Sequence, residues 1–395
     1  MGSIKLVATS ILLISFFTFV AFFGRLPQFR NTPIGWLYRL LWIRIPTALR
    51  YLDIKLTRGR LSPWVIKQAH HLWNDRHPVV LIFFMILLGA SEVMFLPPAW
   101  PLLSTVRRCS AFIVVGLPWL FLYASAASDP GYITRSNHSQ QMSLYPYNFA
   151  IFYPGQSCRT CLLLKPARSK HCSICKRCIS KHDHHCIFIN NCVGYGNYHF
   201  FLSLLASTAF LSTYATYVGL SILSDLVRIE IPNWSLRGKG YAWSQYFNTL
   251  AWALNQQMRI GAVTLLCLLT SPLILGLLSY HLYLIWAGMT TNESMKWSDL
   301  QADISDGYAF IRALPKDRQK DDRYEPLWTQ WPKESDYILT RSHDGLPRHN
   351  IIGTGEWEPV WKLDNIENLY DLGLAQNLKD IFRPANSFKN SEHTG

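Results

Sequence analysis

Seven cysteines fall within 35 residues of this 395-residue chain: Cys158, Cys161, Cys172, Cys175, Cys178, Cys186 and Cys192. Two chemistries compete for such a cluster, a disulfide framework and metal chelation. Seven is odd, and the charge pattern described below puts the segment in a reducing compartment, where disulfides do not persist. Cys158-x2-Cys161 and Cys172-x2-Cys175 have the spacing of zinc-binding knuckles. A closed structural zinc site takes four ligands, usually Cys or His. His171, His182, His184 and His185 lie in the same stretch. Two sites need eight ligands, so six cysteines and two histidines fill them and one thiol is left over. A free thiol beside imidazoles in a chelated scaffold is a nucleophile candidate. Composition does not choose the sulfur. The run Asp183-His184-His185-Cys186, however, sets a carboxylate and an imidazole directly beside Cys186. That supplies a base and an orienting group for an activated thiol. The competing reading makes Cys186 a ligand and the cluster a purely structural finger.

The elements that must position this cluster belong to a membrane protein. The chain is 49% hydrophobic and only 16% charged, against about 25% charged in soluble domains. That composition also excludes a collagen-like or wholly disordered chain. Five apolar segments, near 4–23, 78–96, 110–127, 201–223 and 261–287, approach the length of about 20 residues that crosses a bilayer as a helix. The first ends in Val20-Ala21-Phe22-Phe23-Gly24-Arg25 with no small-x-small cleavage pattern, and reads as a retained anchor. Loop 24–77 holds ten Lys/Arg and 128–200 holds eight, while the alternate loops 97–109 and 224–260 hold two and four. Excess Lys/Arg marks the cytosolic side, so 24–77, 128–200 and the tail from 288 are expected in the cytosol. Residues 1–287 carry 25 Lys/Arg against 7 Asp/Glu, and 288–395 carry 13 against 18. A basic, apolar body thus precedes a mildly acidic tail. Such a basic balance follows from membrane topology, and no nucleic-acid partner is expected. The fold class is mostly α: a polytopic membrane protein with about five transmembrane helices and a cytosolic Cys-rich double-zinc domain. Its expected organisation is three spans and a basic loop in 1–128, the Cys-rich domain in 129–200, two spans in 201–287 and a tail in 288–395. Trp36, Arg39, Trp42 and Arg44 in the first loop suit short amphipathic helices at a membrane surface.

The cysteine pattern, with Asp183-His184-His185-Cys186 inside it, resembles the DHHC family of protein S-acyltransferases. The match runs through Cys158-x2-Cys161, His171-Cys172-x2-Cys175-x2-Cys178, the DHHC run, Cys192, Asn197 and Phe200. Asp129-Pro130-Gly131 follows the third span, like the family's DPG motif. Thr290-Thr291-Asn292-Glu293 follows the fifth, like its TTxE motif, and Tyr370 to Asn377 resembles a carboxy-terminal element centred on an Asn. The strongest likeness covers about 129–293. A fifth span at the amino terminus departs from the family's usual four.

The resemblance implies two interleaved structural zinc sites. One is Cys158, Cys161, His171 and Cys178; the other is Cys172, Cys175, His185 and Cys192. It implies that Cys186 is the nucleophile, served by His184 and Asp183. The expected donor is palmitoyl-CoA, whose acyl chain would lie among the spans, each buried CH₂ contributing about 0.8 kcal/mol. Lys165, Arg168 and Lys170 are candidates for the CoA phosphates, although basic residues there would also meet anionic lipid. Thr290, Thr291 and Asn377 are expected to brace the zinc domain against the spans, and His182 reads as a solvated surface histidine. Expected partners are membrane lipid, acyl-CoA and membrane proteins with juxtamembrane cysteines, SNAREs among them. The five-span architecture resembles a branch of the family in the endoplasmic reticulum membrane, with the Golgi as the other compartment. The alternative function is a non-enzymatic, membrane-tethered zinc adaptor or ubiquitin-ligase-like module.

Overall fold

The computed structural model describes residues 31–60, 62–63, 77–235, 242–315, 317–344, 347 and 352–382, with positions 9, 13, 16, 17 and 20. The expected first span, 4–23, therefore lies almost wholly outside the described residues. The chain divides into two units, 1–75 with 221–262 and 76–220 with 263–395.

In the first unit the basic loop is helical, as α1 (Pro33–Arg39) and α2 (Ile45–Thr57), joined by a π-wound stretch at Leu40–Arg44. Thr32 caps α1 by accepting a hydrogen bond from the Gly35 N–H, and proline at the first turn removes a donor that would have no partner. Trp36, Trp42, Ile43 and Leu49 are exposed, as suits a surface that meets lipid. Asp53 is buried and accepts from the Ser62 backbone N–H at 2.7 Å and from the Thr57 and Ser62 hydroxyls.

The second unit begins with α3 (Val79–Ala99), a 3-10 turn at Trp100–Leu102, and α4 (Thr105–Ala127). A short helix, α5 (His138–Met142), and two hairpins follow: β1 (Lys170–Cys172) with β2 (Arg177–Ile179), and β3 (His184–Cys186) with β4 (Asn191–Val193). Then come α6 (Tyr198–Glu230) and α8 (Met258–Trp286), which belong to this unit up to 220 and from 263, with α7 (Trp243–Gln256) between them in the chain and part of the first unit. Among the described residues four helices are long and apolar enough to cross a membrane: α3 with its 3-10 extension, α4, α6 and α8. They overlap the segments expected at 78–96, 110–127, 201–223 and 261–287.

The tail starts with α9 (Thr291–Ser305), whose Thr290 and Glu293 form a reciprocal capping box. An antiparallel sheet follows, β5 (Ala309–Ala313) flanked by β6 (Tyr337–Arg341) and β7 (Thr354–Pro359), and then α10 (Leu374–Phe382). This sheet lies under the zinc hairpins' approach segment. Tyr145, Tyr147, Phe149 and Phe152 share one core with Trp297, Leu300, Trp331, Leu339 and Tyr370. The Trp331 indole N–H donates to the Leu369 carbonyl at 2.9 Å, so the aromatic stretch of the tail is partly core, while Trp328 is exposed.

Candidate active site

Hairpin register explains how ligands converge. In the first hairpin His171 is the cross-strand partner of Cys178, and in the second His185 is the partner of Cys192. Directly opposed residues share a face, so each hairpin offers one imidazole and one thiol together. The knuckles supply the rest. Cys158-x2-Cys161 turns through Leu162 and Cys172-x2-Cys175 through Lys176, both left-handed at φ 56°. In each knuckle the second cysteine's backbone N–H donates to the first sulfur, at 3.4 Å and 3.3 Å. The chain thus brings together Cys158, Cys161, His171 and Cys178, and separately Cys172, Cys175, His185 and Cys192.

The spacings suit zinc. Around a tetrahedral ion with bonds near 2.3 Å to sulfur and 2.0–2.1 Å to nitrogen, S···N separations come to about 3.6 Å. The three sulfurs of the first cluster lie 3.4, 3.4 and 3.7 Å from His171 Nδ1. Those of the second lie 3.7, 3.4 and 3.5 Å from His185 Nδ1. Four protein donors fill each cluster, as in structural rather than catalytic zinc sites.

Cys186 belongs to neither cluster. It ends β3, is 8% exposed, and packs with Leu122, Ile189, Val193, Phe201, Leu202 and Leu205. His184 Nδ1 lies 2.6 Å from Asp183 Oδ2. Asp183 also accepts from Thr291, through its backbone N–H at 2.7 Å and its hydroxyl at 2.9 Å. Burial alone would raise Asp183, but the hydrogen bond and charge of His184, with the Thr291 N–H, hold it below the usual carboxylate range. Burial likewise opposes the His184 imidazolium, yet its hydrogen bonds to Asp183 and Cys186 raise it to about 10. The Cys186 thiol is pushed up by burial and more than offset by His184 and the Ile189 and Phe188 backbone, so it sits below its ordinary value. The combination favours a thiolate beside an imidazolium.

Comparison with known proteins fits this arrangement. Residues 151–298 match the family model described as DHHC palmitoyltransferase. The chain is similar to palmitoyltransferase SWF1 of Neurospora crassa, 48% identical over 99% of this chain and 95% of the relative. It is also similar to palmitoyltransferase swf1 of Emericella nidulans, 42% identical over 97% of each chain. The Saccharomyces cerevisiae SWF1 palmitoyltransferase is 32% identical over 82% of this chain and 90% of its own. The chain belongs to the DHHC palmitoyltransferase family. It is a multi-pass membrane enzyme, a protein S-acyltransferase, with two Cys/His clusters suited to zinc.

The motifs flanking this DHHC domain act as braces. Asp129 Oδ1 accepts from the Gly131 and Tyr132 N–H groups, both at 2.8 Å, closing the turn after α4. A Cβ on Gly196 would lie 2.2 Å from the Asp129 carbonyl oxygen, so only glycine lets the β4–α6 turn pass that close. The Asn191 amide donates to the Ser128 carbonyl at 2.9 Å, and Asn197 spans the turn from Gly194 to the Cys192 carbonyl. The Asn377 amide donates to the Ile285 carbonyl at 3.0 Å and to Asp371 at 2.8 Å, tying α10 to the end of α8.

The structure corrects two expectations. Arg168, a candidate for the CoA phosphates, is 2% exposed. Its guanidinium binds both Glu293 oxygens, at 2.7 and 2.6 Å, donates to the Gly288 carbonyl, and stacks on Tyr145 and Tyr370. Its remaining nitrogen lies 3.8 Å from Asp380 Oδ2, so the whole group is turned inward to carboxylates and rings and not presented to a ligand. His182 is buried beside Cys172 and is not a solvated histidine.

Sequence reasoning also missed some residues. Lys165 and Lys170 share a cleft of about 290 Å³ with Lys296 of α9. Burial, opposed by Glu293 and reinforced by Lys170 and Lys165, brings Lys296 down to about 8. A second cavity, of about 340 Å³, lies among α3, α4, α6 and α8, lined by Leu88, Val115, Leu211, Ala215, Leu266 and others. It reaches Phe188, two residues beyond Cys186, and also carries Glu92, which accepts from the Trp119 indole N–H at 2.9 Å. The signals for Glu92, and for His281 of α8, whose ring lies 5.9 Å from that of His184, were in the sequence, since an ionisable residue inside an apolar run is a candidate for function.

Proposed function

We propose that Cys186 carries the acyl group as a thioester between an acyl-CoA donor and a protein cysteine. The observation that carries this is the sulfur's position: outside both four-ligand clusters, and against a histidine whose other nitrogen is held by a carboxylate. In the resting enzyme the proton rests on His184. The Cys186 thiolate attacks the thioester carbon, the C–S bond to CoA breaks, and His184 gives its proton to the departing CoA sulfur. Neutral His184 then takes the proton of the acceptor cysteine, whose thiolate attacks the acyl carbon and releases Cys186 as a thiolate again. Asp183 keeps the imidazole oriented through both halves. Cys158, Cys161, His171 and Cys178 would hold one zinc ion, and Cys172, Cys175, His185 and Cys192 the other, each fixing a hairpin.

Adjacent histidines then have different duties, and this divides two variants. His184→Ala is expected to keep two zinc ions per chain and to lose autoacylation by about 10²–10⁴-fold. His185→Ala is expected to lose one zinc ion with the activity. Metal analysis of both proteins decides, and the reverse pattern would overturn the division of roles.

The basic cleft of Lys165, Lys170 and Lys296 supports binding of the donor's phosphates, and the cavity among the spans supports binding of its acyl chain. Ala215→Phe fills part of that cavity. At about 0.8 kcal/mol per buried CH₂, displacing two methylenes costs roughly 15-fold in use of a sixteen-carbon donor, with shorter donors spared. Competition between acyl-CoAs of different length measures this, and an unchanged preference would remove the cavity from the reaction.

We further propose the endoplasmic reticulum membrane as the site of action, and juxtamembrane cysteines such as those of SNAREs as acceptors. The support is the resemblance of the architecture to that branch of the family. Thioester profiling of membrane proteins with and without the enzyme tests it. The alternative, a non-enzymatic zinc adaptor, predicts no acyl label at all.

A further inference from the structure

His281 lies in the apolar span α8, yet its ring is 2% exposed and aimed at the chemistry. One of its nitrogens lies within 4.8 Å of both an Asp183 oxygen and a His184 nitrogen. The other residues around it come from the start of α6. The Tyr198 hydroxyl and His281 Nδ1 are 2.9 Å apart. Phe201 stands edge-on to His281 at 5.1 Å and to His184 at 5.2 Å, and the two imidazoles are 5.9 Å apart.

Asp183, His184 and His281 are all metal-binding types, but their arrangement is that of a hydrogen-bonded network. The Asp183–His184 separation of 2.6 Å is shorter than two donors on one zinc ion would be, and Tyr198 already engages His281. An imidazole within an apolar span is also costly unless it does something that a phenyl ring cannot. The need is visible at His184. A histidine ring turns about a broad, roughly two-fold torsion, so once Cys186 is acylated and no longer accepts from it, the bond to Asp183 alone leaves His184 free to hinge away.

We propose that His281 is a positioning residue for acyl transfer. Oriented by the Tyr198 hydroxyl and wedged by Phe201, it presents a polar ring edge that holds the His184 imidazole between Asp183 and Cys186. Membrane spans α6 and α8 thereby set the geometry of a residue in the zinc domain. The inference rests on His184 serving Cys186, as proposed above.

The test uses full-length enzyme in detergent with palmitoyl-CoA, reading CoA release in the steady state alongside zinc content. His281→Phe keeps the ring and removes both nitrogens. It is expected to lower kcat by about tenfold or more, with KM for the donor within twofold and two zinc ions retained. Tyr198→Phe is expected to lower kcat by a smaller factor. The double variant should be no slower than His281→Phe alone, because the hydroxyl acts through the imidazole. His281→Gln, which restores a polar group, should recover part of the loss, and it also serves if His281→Phe does not fold. Wild-type kcat in His281→Phe, a loss confined to KM, or additive losses in the double variant would each overturn the proposal. His184→Ala, run in parallel, separates the two readings. Inactive His184→Ala with normal His281→Phe sinks the positioning role alone, whereas an active His184→Ala sinks the base assignment beneath it.

Discussion

Cys186→Ser is expected to abolish thioester-linked acyl label on the enzyme while two zinc ions per chain remain bound. The loss should reach roughly 10³-fold or more, the scale seen when a covalent nucleophile is removed. The reasoning is one of exclusion. Eight donors are consumed in two clusters with zinc-like spacing, so replacing a ninth group leaves the metal untouched. Serine keeps the size of the side chain, but its hydroxyl is not depressed into an anion by His184 as a thiol is. The measurement is hydroxylamine-sensitive radiolabel or intact mass after incubation with palmitoyl-CoA, with zinc quantified on the same sample. Loss of one zinc ion would make Cys186 a ligand and return the chain to the adaptor reading. Undiminished thioester label would move the nucleophile elsewhere.

Arg168→Ala is expected to be the most destabilising single change in the zinc domain and tail, at about 3–5 kcal/mol. Removing the guanidinium leaves Glu293, 1% exposed, as a buried carboxylate without its main partner. Asp380 would keep Lys181, 2.6 Å away, but lose the Arg168 charge at 3.8 Å. The double variant Arg168→Met, Glu293→Gln should recover much of the loss, because it removes both charges together. Lys170→Ala, at an exposed position, should stay within about 0.5 kcal/mol of wild type. Thermal melting of the zinc-loaded protein in detergent ranks the three. Equal melting temperatures for Arg168→Ala and Lys170→Ala would show that the buried ion pair contributes nothing net.

The sequence discloses some of this architecture and hides the rest, for physical reasons. The donors are legible because they crowd into 35 residues, but the two sets overlap along the chain, so their partition comes from the family resemblance. What joins each set is hairpin register, His171 opposite Cys178 and His185 opposite Cys192. The spans are legible because twenty apolar residues have few other fates. Arg168 is misread because a run of Lys and Arg ordinarily marks a solvated face. Its burial depends on Glu293 and Asp380, 125 and 212 positions further on, and on two aromatic rings that no local pattern foretells. The three-stranded sheet of the tail is hidden for a similar reason. Its strands are five or six residues long and lie far apart in sequence, at 309–313, 337–341 and 354–359. His182 shows the same limit at close range: one histidine in a His-rich run is buried beside Cys172, a neighbour ten residues back that the run itself does not reveal.

The loop that follows Cys186 bears on what the enzyme can modify. Ile187 and Phe188 are 51% and 49% exposed, and Phe188 meets Phe84 of α3 edge-to-face at 6.0 Å. Two greasy side chains directly after the proposed nucleophile would moor it at the lipid boundary. Selection among acceptors would then work by altitude. A thiol a few residues from its own anchor arrives at the right height without searching. One carried on a long flexible tether is diluted as the tether grows. On that footing the flanking amino acids of a target would matter less than its elevation above the acyl tails.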